Sequence, residues 1–311
     1  MTTDNELNRD LINAILSAPD GDIKLAAEAG SAVIRTHLRE EGFMRSIFNV
    51  VPVTAADLDK SEKHDRPQII DDIEPNSKGA YNINFDGSPE TRYFEGVKFV
   101  TGFSDITTPE FTKNMDQLMT YGYDIRKNIT QDSLLSIQER EDSNFLAEVD
   151  AICGAAGSTS AYSGAVQHSL IPGPMGRVSL VDISNTLKKF QLPCGTVLMN
   201  EITFSQLLKE GRETVGGDGA QENYYGGIDT LKKRNILGLK TLTTLKRYLV
   251  PDNVIYVFAP QEYLGVFYEL HKPTMYVEKK VKTLRFHTRE TIGSTIANVL
   301  GVHKVTLDLG S

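Results

Sequence analysis

An α+β fold is predicted from three features of the sequence. One helical pattern, Asp132–Ala156, is far longer than any other. A compact stretch, Ser179–Ala259, alternates short helical and strand-like segments, and the residues Thr274–Leu284 and Thr288–Leu309 then read as long strands. The 311 residues suggest roughly two domains. With 40% apolar and 24% charged residues, the balance is that of a folded chain rather than a disordered one.

The first forty residues carry two helical patterns. In Glu6–Ser17, Leu7, Leu11, Ile15 and Leu16 share one face, with Asp4 or Asn5 as cap. Ala18-Pro19-Asp20-Gly21 breaks the chain, and a second run with Leu25, Ala29, Val33 and Leu38 stops at Gly42. This arm is too thin to make its own core, so it must dock on something. A polar, turn-rich stretch, Asp57–Ser88, follows, between strand-like Ile47–Val53 and Arg92–Phe103; in the latter Tyr93, Val97, Phe99 and Phe103 share one side. So few apolar residues cannot form a core. Two readings stand: a disordered insertion, or a long hairpin stabilised by another subunit, which the alternation Tyr81-Asn82-Ile83-Asn84-Phe85 favours.

In the long helix, Phe145, Leu146, Val149, Ile152, Cys153 and Ala156 line one face, with Glu139, Arg140, Glu141 and Glu148 on the polar side. Its length is on the order of 37 Å, and Gly154 and Gly157 end it. Beyond it, Val181–Phe190 and Glu201–Glu210 read as helices; Thr196-Val197-Leu198-Met199, Leu237-Gly238-Leu239 and Asn253–Phe258 read as strands. Gly293 and Gly301 permit bends in the closing strands.

No transmembrane run of about 18 apolar residues occurs, and MTTDNELNRD lacks the character of a signal peptide. With only Cys153 and Cys194, no disulfide scaffold is expected, so the chain reads as soluble, cytosol-made and reduced. The formal net charge of −8 argues against binding nucleic acid through phosphates. Phosphate-loop, zinc-protease, C-x-x-C and nucleophile-elbow motifs are absent. Gly216-Gly217-Asp218-Gly219 is a loop tip rather than a phosphate cradle. Asp57-Leu58-Asp59 begins like a calcium loop but has Glu62 where the turn needs glycine. The acidic trio Asp71, Asp72 and Glu74 reads as a solvated face before it reads as a cation site. His37, His64, His168, His271, His287 and His303 show no ligand spacing, and His287 and His303 fall in strands as structural residues. Cys153 and Cys194 read as small buried hydrophobes. The sequon Asn128-Ile129-Thr130 is idle without export. No catalytic, cofactor-binding or metal residue is therefore assigned, no cofactor is expected, and the chain is not read as an enzyme.

The order of these pieces resembles the major capsid proteins of tailed phages, which share the Hong Kong 97 fold. The likeness runs from about Ala32 to Leu309 and rests most on the second half. Thr196-Val197-Leu198-Met199-Asn200, with a helix ending Leu207-Leu208, looks like the family's axial-domain strand and helix. Ile236-Leu237-Gly238-Leu239-Lys240 looks like its "LG-x-x-V" strand. Asn253–Phe258, Tyr276–Val281, Glu290–Val299 and Val302–Leu307 look like its final strand, sheet and tail.

The resemblance implies an N-terminal arm (1–50), an extended loop with flanking strands (51–111), a peripheral domain with the spine helix (112–178 and 259–311) and an axial domain (179–258). It implies a major head protein that self-assembles as hexamers and pentamers into an icosahedral virion shell around bacteriophage double-stranded DNA, in the host cytoplasm. Its partners would be copies of itself, a portal and a separate scaffolding protein, since no scaffolding segment precedes the arm; a decoration protein is optional, and no membrane is involved. Some family members cross-link an extended-loop lysine; Lys60, Lys63, Lys78 and Lys98 are available, but no residue identifies such a bond. Gly157 and Gly173 are candidate hinges. Two alternatives stand beside this: an encapsulin-like nanocompartment shell, and a soluble α/β enzyme built on Ser179–Ala259.

Overall fold

A computed structural model describes residues 42–59, 65–73, 82–83, 85, 87–88, 96–114, 116, 125–206, 234–236, 239–280 and 282–309. The expected arm helices, Tyr81 and Asn84 of the Tyr81–Phe85 alternation, Glu74, Leu207-Leu208, the Gly216–Gly219 tip and Leu237-Gly238 lie outside these residues. In chain order the elements are α1 (Met44–Ile47), β1 (Val50–Pro52), β2 (Gln68–Ile73), β3 (Val97–Gly102), β4 (Ser104–Thr107), β5 (Phe111–Asn114) and α2 (Ile125–Cys153). They continue with β6 (His168–Pro172), α3 (Arg177–Lys188), β7 (Thr196–Asn200), α4 (Glu201–Gln206), β8 (Arg234–Ile236), β9 (Leu239–Thr244) and β10 (Val254–Phe258). The last are β11 (Val266–Lys280), β12 (Thr283–Thr295) and β13 (Val302–Asp308).

Three sheets result. The first runs β1-β11-β12-β4, with β5 also on β12; its body is the long β11–β12 hairpin. The second has six strands in the order β6-β13-β10-β7-β9-β8, and the third is the two-stranded ribbon β2–β3. Strands β6 and β13 come from stretches placed above in the peripheral domain, yet they stand in the six-stranded sheet, β13 beside β10 and β6 beyond it at the edge.

The six-stranded sheet is covered on both faces. Along β10, Val254, Tyr256 and Phe258 point into a core shared with α2, while Ile255 and Val257 point into a second core with Leu180, Ile183 and Leu187 of α3. A strand buried on both sides needs no polar alternation, which is why Val254–Phe258 is a continuous apolar run. Helix α2 lies between the two larger sheets: Phe145, Leu146 and Val149 share the first core with Phe48, Ile106, Phe267 and Ile292.

Several expectations shift. The long helix starts at Ile125 rather than Asp132 and ends at Cys153, because Gly154 takes the left-handed conformation at φ 67° and stops it; Ala156 lies beyond its end and is exposed. Residues 47–53 are not one strand: Phe43 to Phe48 turn as α1, and only Val50–Pro52 extend, parallel to Phe267–Glu269. Helix α3 covers Arg177–Lys188 instead of Val181–Phe190. The two closing strands are a hairpin plus a separate strand. After Thr295 the chain turns, with Asn298 accepting from the Leu300 amide at 3.2 Å, and Val302–Asp308 joins the other sheet. Gly293 makes no bend of its own: a Cβ there would stand 2.9 Å from the Gly102 carbonyl oxygen, so its bare backbone admits the base of the ribbon.

Candidate functional site

The β2–β3 ribbon stands apart from both cores. Its register pairs Gln68 with Gly102 and Ile73 with Val97. Strand geometry sends Ile69, Asp71 and Ile73 to one face, opposite Thr101, Phe99 and Val97. The root of that face is seated: Ile69 and Thr101 are buried, and the Tyr268 hydroxyl donates to Asp71 at 2.8 Å. The other face carries the cross-strand pair Ile70 and Val100, 43% and 52% exposed, and an exposed Lys98–Asp72 ion pair at 3.8 Å. Val97, at the far end, is 59% exposed. An isolated two-stranded ribbon is marginal in water, and this one presents aliphatic pairs to solvent.

A second feature anchors the segment that leads into the ribbon. Residues 42–48 lie along α2 and are read by one turn of it. The Gly42 amide donates to Gln138 Oε1 at 2.9 Å and the Met44 amide to Asp142 Oδ1 at 3.1 Å. Arg45 makes a fork on Glu141, Nε to Oε2 at 3.0 Å and Nη2 to Oε1 at 2.7 Å. The same guanidinium reaches Glu269 Oε1 of β11 at 3.3 Å and Glu290 of β12, and stacks over Phe267 with 5.6 Å to the ring centre. Lys246 Nζ bonds Asp142 Oδ2 at 2.8 Å, and Lys240 Nζ donates to the Ser46 carbonyl at 2.6 Å.

Burial sets the electrostatics here. It pushes the Asp142 carboxyl up to about 6 against the pull of Lys246. Glu290 is raised well above the carboxyl range, first by burial and then by Glu141 beside it. Desolvation works against the Arg45 charge, but Glu141 and the other carboxylates outweigh it and leave the guanidinium protonated. Glu141, expected on the polar face, is instead buried. The buried stripe of α2 continues N-terminally from Phe145 and Leu146 through Glu141 and Asp142, Ile137 and Gln138, and Ser133 and Leu134 to Thr130. A period of three and four extended through polar residues would have found it.

The remaining sequence candidates fall as follows. Cys153 is fully buried, its thiol pushed up to about 12 by burial; Cys194 is half-buried against the second core, its thiol raised to about 11 for the same reason. His303 is buried and bonded to Ser169 Oγ at 2.8 Å; His287 stacks on Tyr276 at 5.2 Å. His168 bridges the Gly154 carbonyl and Thr306 Oγ1 at 3.0 and 2.8 Å, tying the end of α2 to the sheet. Asp57 closes a local turn on Thr54, and Asp71 and Asp72 belong to β2. Lys98 is exposed on the ribbon, while Lys60, Lys63, Lys78, His37 and His64 lie outside the described residues. Gly157 and Gly173 both hold positive φ, 69° and 89°. Among the described residues no group of three or more His, Cys, Asp or Glu side chains could hold a metal ion, and no helix is long and apolar enough to cross a membrane.

No protein-family model matches the sequence, and no curated protein matches it. Solved structures do match over most of the chain. The capsid of a native GTA particle superposes with a TM-score of 0.59 at 13% identity, covering 88% of this chain and 92% of that one. The capsid of cyanophage P-SCSP1u gives 0.58 at 10% identity, covering 88% and 90%. A virus-like particle from Pyrococcus furiosus gives 0.51 at 15% identity, covering 91% and 97%. At such low identity the likeness is one of fold: the chain has the architecture of phage capsid subunits, as its element order led us to expect.

Proposed function

We propose that this chain is a major capsid protein, a subunit that assembles in many copies into a closed icosahedral shell around phage double-stranded DNA. The observation that carries this reading is the β2–β3 ribbon. It exposes Ile70, Val97 and Val100 while its root is fixed to the body of the subunit. A neighbouring copy is the cover such a ribbon needs, and identical contacts repeated under symmetry close a shell. In this reading α2 and the β11–β12 hairpin form the peripheral part, the six-stranded sheet the axial part, and 1–50 an arm whose last residues, 42–48, are seated on α2 of the same subunit. The net charge of −8 suits a wall that repels packaged DNA rather than gripping it. A portal and a separate scaffolding protein are the further partners of such a shell, assembled in the host cytoplasm and carried in the virion.

The test is the double variant Ile70→Asp/Val100→Lys. Both side chains are exposed in the subunit, so its folding should be undisturbed. Wild-type protein should sediment as shells visible by negative stain, and the variant as small oligomers with an unchanged circular dichroism spectrum. Normal shells from the variant would refute the role of the ribbon. A protein-filled nanocompartment is the second reading, favoured by the match to the Pyrococcus furiosus virus-like particle. Nuclease-resistant DNA inside particles made during infection separates the two.

A further inference from the structure

The cluster around Arg45 holds three carboxylates against one guanidinium: Glu141 from α2, Glu269 from β11 and Glu290 from β12. The Glu141 and Glu290 side chains have no solvent exposure and Glu269 has 9%. If all three were ionised, two negative charges would stay uncompensated in a site where only Arg45, 24% exposed, and the edge of Glu269 meet water. Lys246, the next cation along α2, is held by Asp142. Arg289 pairs with Asp105 on the opposite face of β12, with His271 near that pair, so this guanidinium does not serve the cluster. Glu290 also has a buried oxygen, Oε2, for which no described residue supplies a donor. Glu141 and Glu290 both accept from the same nitrogen, Arg45 Nη2, which sets the two carboxyls side by side. A carboxyl with no donor, pressed against a second carboxylate, is relieved by one proton, which turns the repulsion into a hydrogen bond.

We propose that Glu141 and Glu290 share a proton at neutral pH, and that this proton locks residues 42–53 onto the long helix and the hairpin. The locked segment also seats Phe43, Met44, Ile47 and Phe48 in the first core, so the proton modulates its hold rather than supplying all of it. The segment consists of the single turn α1 and the three-residue edge strand β1. Its polar bonds to α2 all run to Gln138, Glu141 and Asp142. Removing the proton places a second uncompensated charge beneath Arg45, which favours any opening of 42–53 that admits water to the cluster. A carboxyl whose folded value is raised above its ordinary 4.5 gives its full stabilisation below that pH. The stabilisation drains away as pH climbs through the raised value. The lock is therefore tight in mild acid and loosens in alkali, at the point where the arm residues join the body of the subunit. It does not depend on whether the chain assembles.

Hydrogen exchange of peptides covering 42–53 tests this in the full-length chain between pH 7 and 9.5, after correction for the intrinsic base-catalysed rate. Asp142, raised only to about 6, has ionised by then and adds no slope. The opening constant of wild type should rise by up to about tenfold per pH unit, the signature of one proton. Glu290→Gln, which keeps a donor and carries no charge, should be flat and at least about tenfold better protected at pH 9. A flat wild-type profile, or an equal slope in Glu290→Gln, overturns the proposal. Infrared spectra add a readout that does not rely on the variant's folding: wild type at pH 8 should show a protonated carboxylic acid band, lost in Glu290→Gln or Glu141→Gln. Absence of that band in wild type also overturns it.

Discussion

Replacing Phe145 by alanine should cost the subunit about 3–5 kcal/mol. The ring is fully buried midway along α2. It meets Phe48 edge-on at 5.4 Å and 80°, and Phe258 at 5.4 Å and 34°. One ring thus joins the segment before the ribbon, the long helix and the six-stranded sheet. Truncation exposes or empties about 150 Å² of apolar surface, worth roughly 4 kcal/mol at ~25 cal/mol per Å². The two aromatic contacts add about 0.5–1.5 kcal/mol each, and partial collapse of the 42–48 segment into the gap recovers some of the loss. With zero tryptophans in the sequence, urea unfolding of the unassembled subunit is best followed by far-ultraviolet circular dichroism. For a urea slope of about 3 kcal/mol/M the midpoint should fall by about 1 M or more. Val178→Ala, at a site 75% exposed on α3, serves as the control and should stay within about 0.5 kcal/mol of wild type. If Phe145→Ala moved the midpoint no further than that control, α2 would not be the beam on which the two larger sheets rest.

His303 sets an acid limit. Burial, with Lys189 and His168 nearby, pushes its imidazole down to about 4 from an ordinary 6.5, so the fold favours the neutral ring. Its stabilisation is whole above pH 6.5 and is lost as pH falls toward 4, by up to about 3 kcal/mol. Unfolding free energies at pH 7.5 and 4.5 should therefore differ less in His303→Gln than in wild type, and equal differences would exclude the residue as the cause. Gly195→Ala should destabilise by about 1–3 kcal/mol, because the new Cβ would stand 2.5 Å from Pro260 N and 2.8 Å from its Cα, backbone that cannot swing aside. Gly102→Ala, where a Cβ meets nothing within 4 Å, is the comparison, and equal melting temperatures for the two variants would refute the clash.

What the sequence made legible follows from how each segment meets its surroundings. Thr196–Asn200 and Val254–Phe258 were readable because both faces of their sheet are covered, so apolar content alone marks them. The C-terminal half of α2 was readable because Phe145, Leu146, Val149 and Ile152 obey the helical period. The first residues of the helix, 125–131, and the buried face of the next turns were not, because the stripe there mixes Leu134 and Ile137 with Thr130, Ser133, Gln138, Glu141 and Asp142. Hydrophobicity cannot mark a polar side chain whose partner is distant in the chain: Arg45 lies 96 residues from Glu141, 224 from Glu269 and 245 from Glu290. The division of the closing strands was hidden for a related reason. Thr288–Leu309 is strand-forming nearly throughout, and only the return of Val302–Asp308 to β10 shows that one stretch serves two sheets.

The ribbon and the Arg45 cluster differ in kind, and the difference bears on assembly. The cores are saturated: both faces of the six-stranded sheet and the inner stripe of α2 already have partners. Where the chain leaves the body, the ribbon still carries exposed apolar surface at Ile70, Val97 and Val100. The joint that aims this surface buries Phe43, Met44, Ile47 and Phe48 and is fastened as well by charge, through Arg45 and five acidic or amide side chains. An apolar joint would hold with the same strength at every pH, whereas a cluster with excess carboxylates binds its segment in proportion to the protons it retains. In the proposed shell, aim and adhesion would thus be under separate physical control: side-chain area on the ribbon would set how strongly copies adhere, and proton occupancy at the cluster would tune how firmly the ribbon's lead-in segment is held.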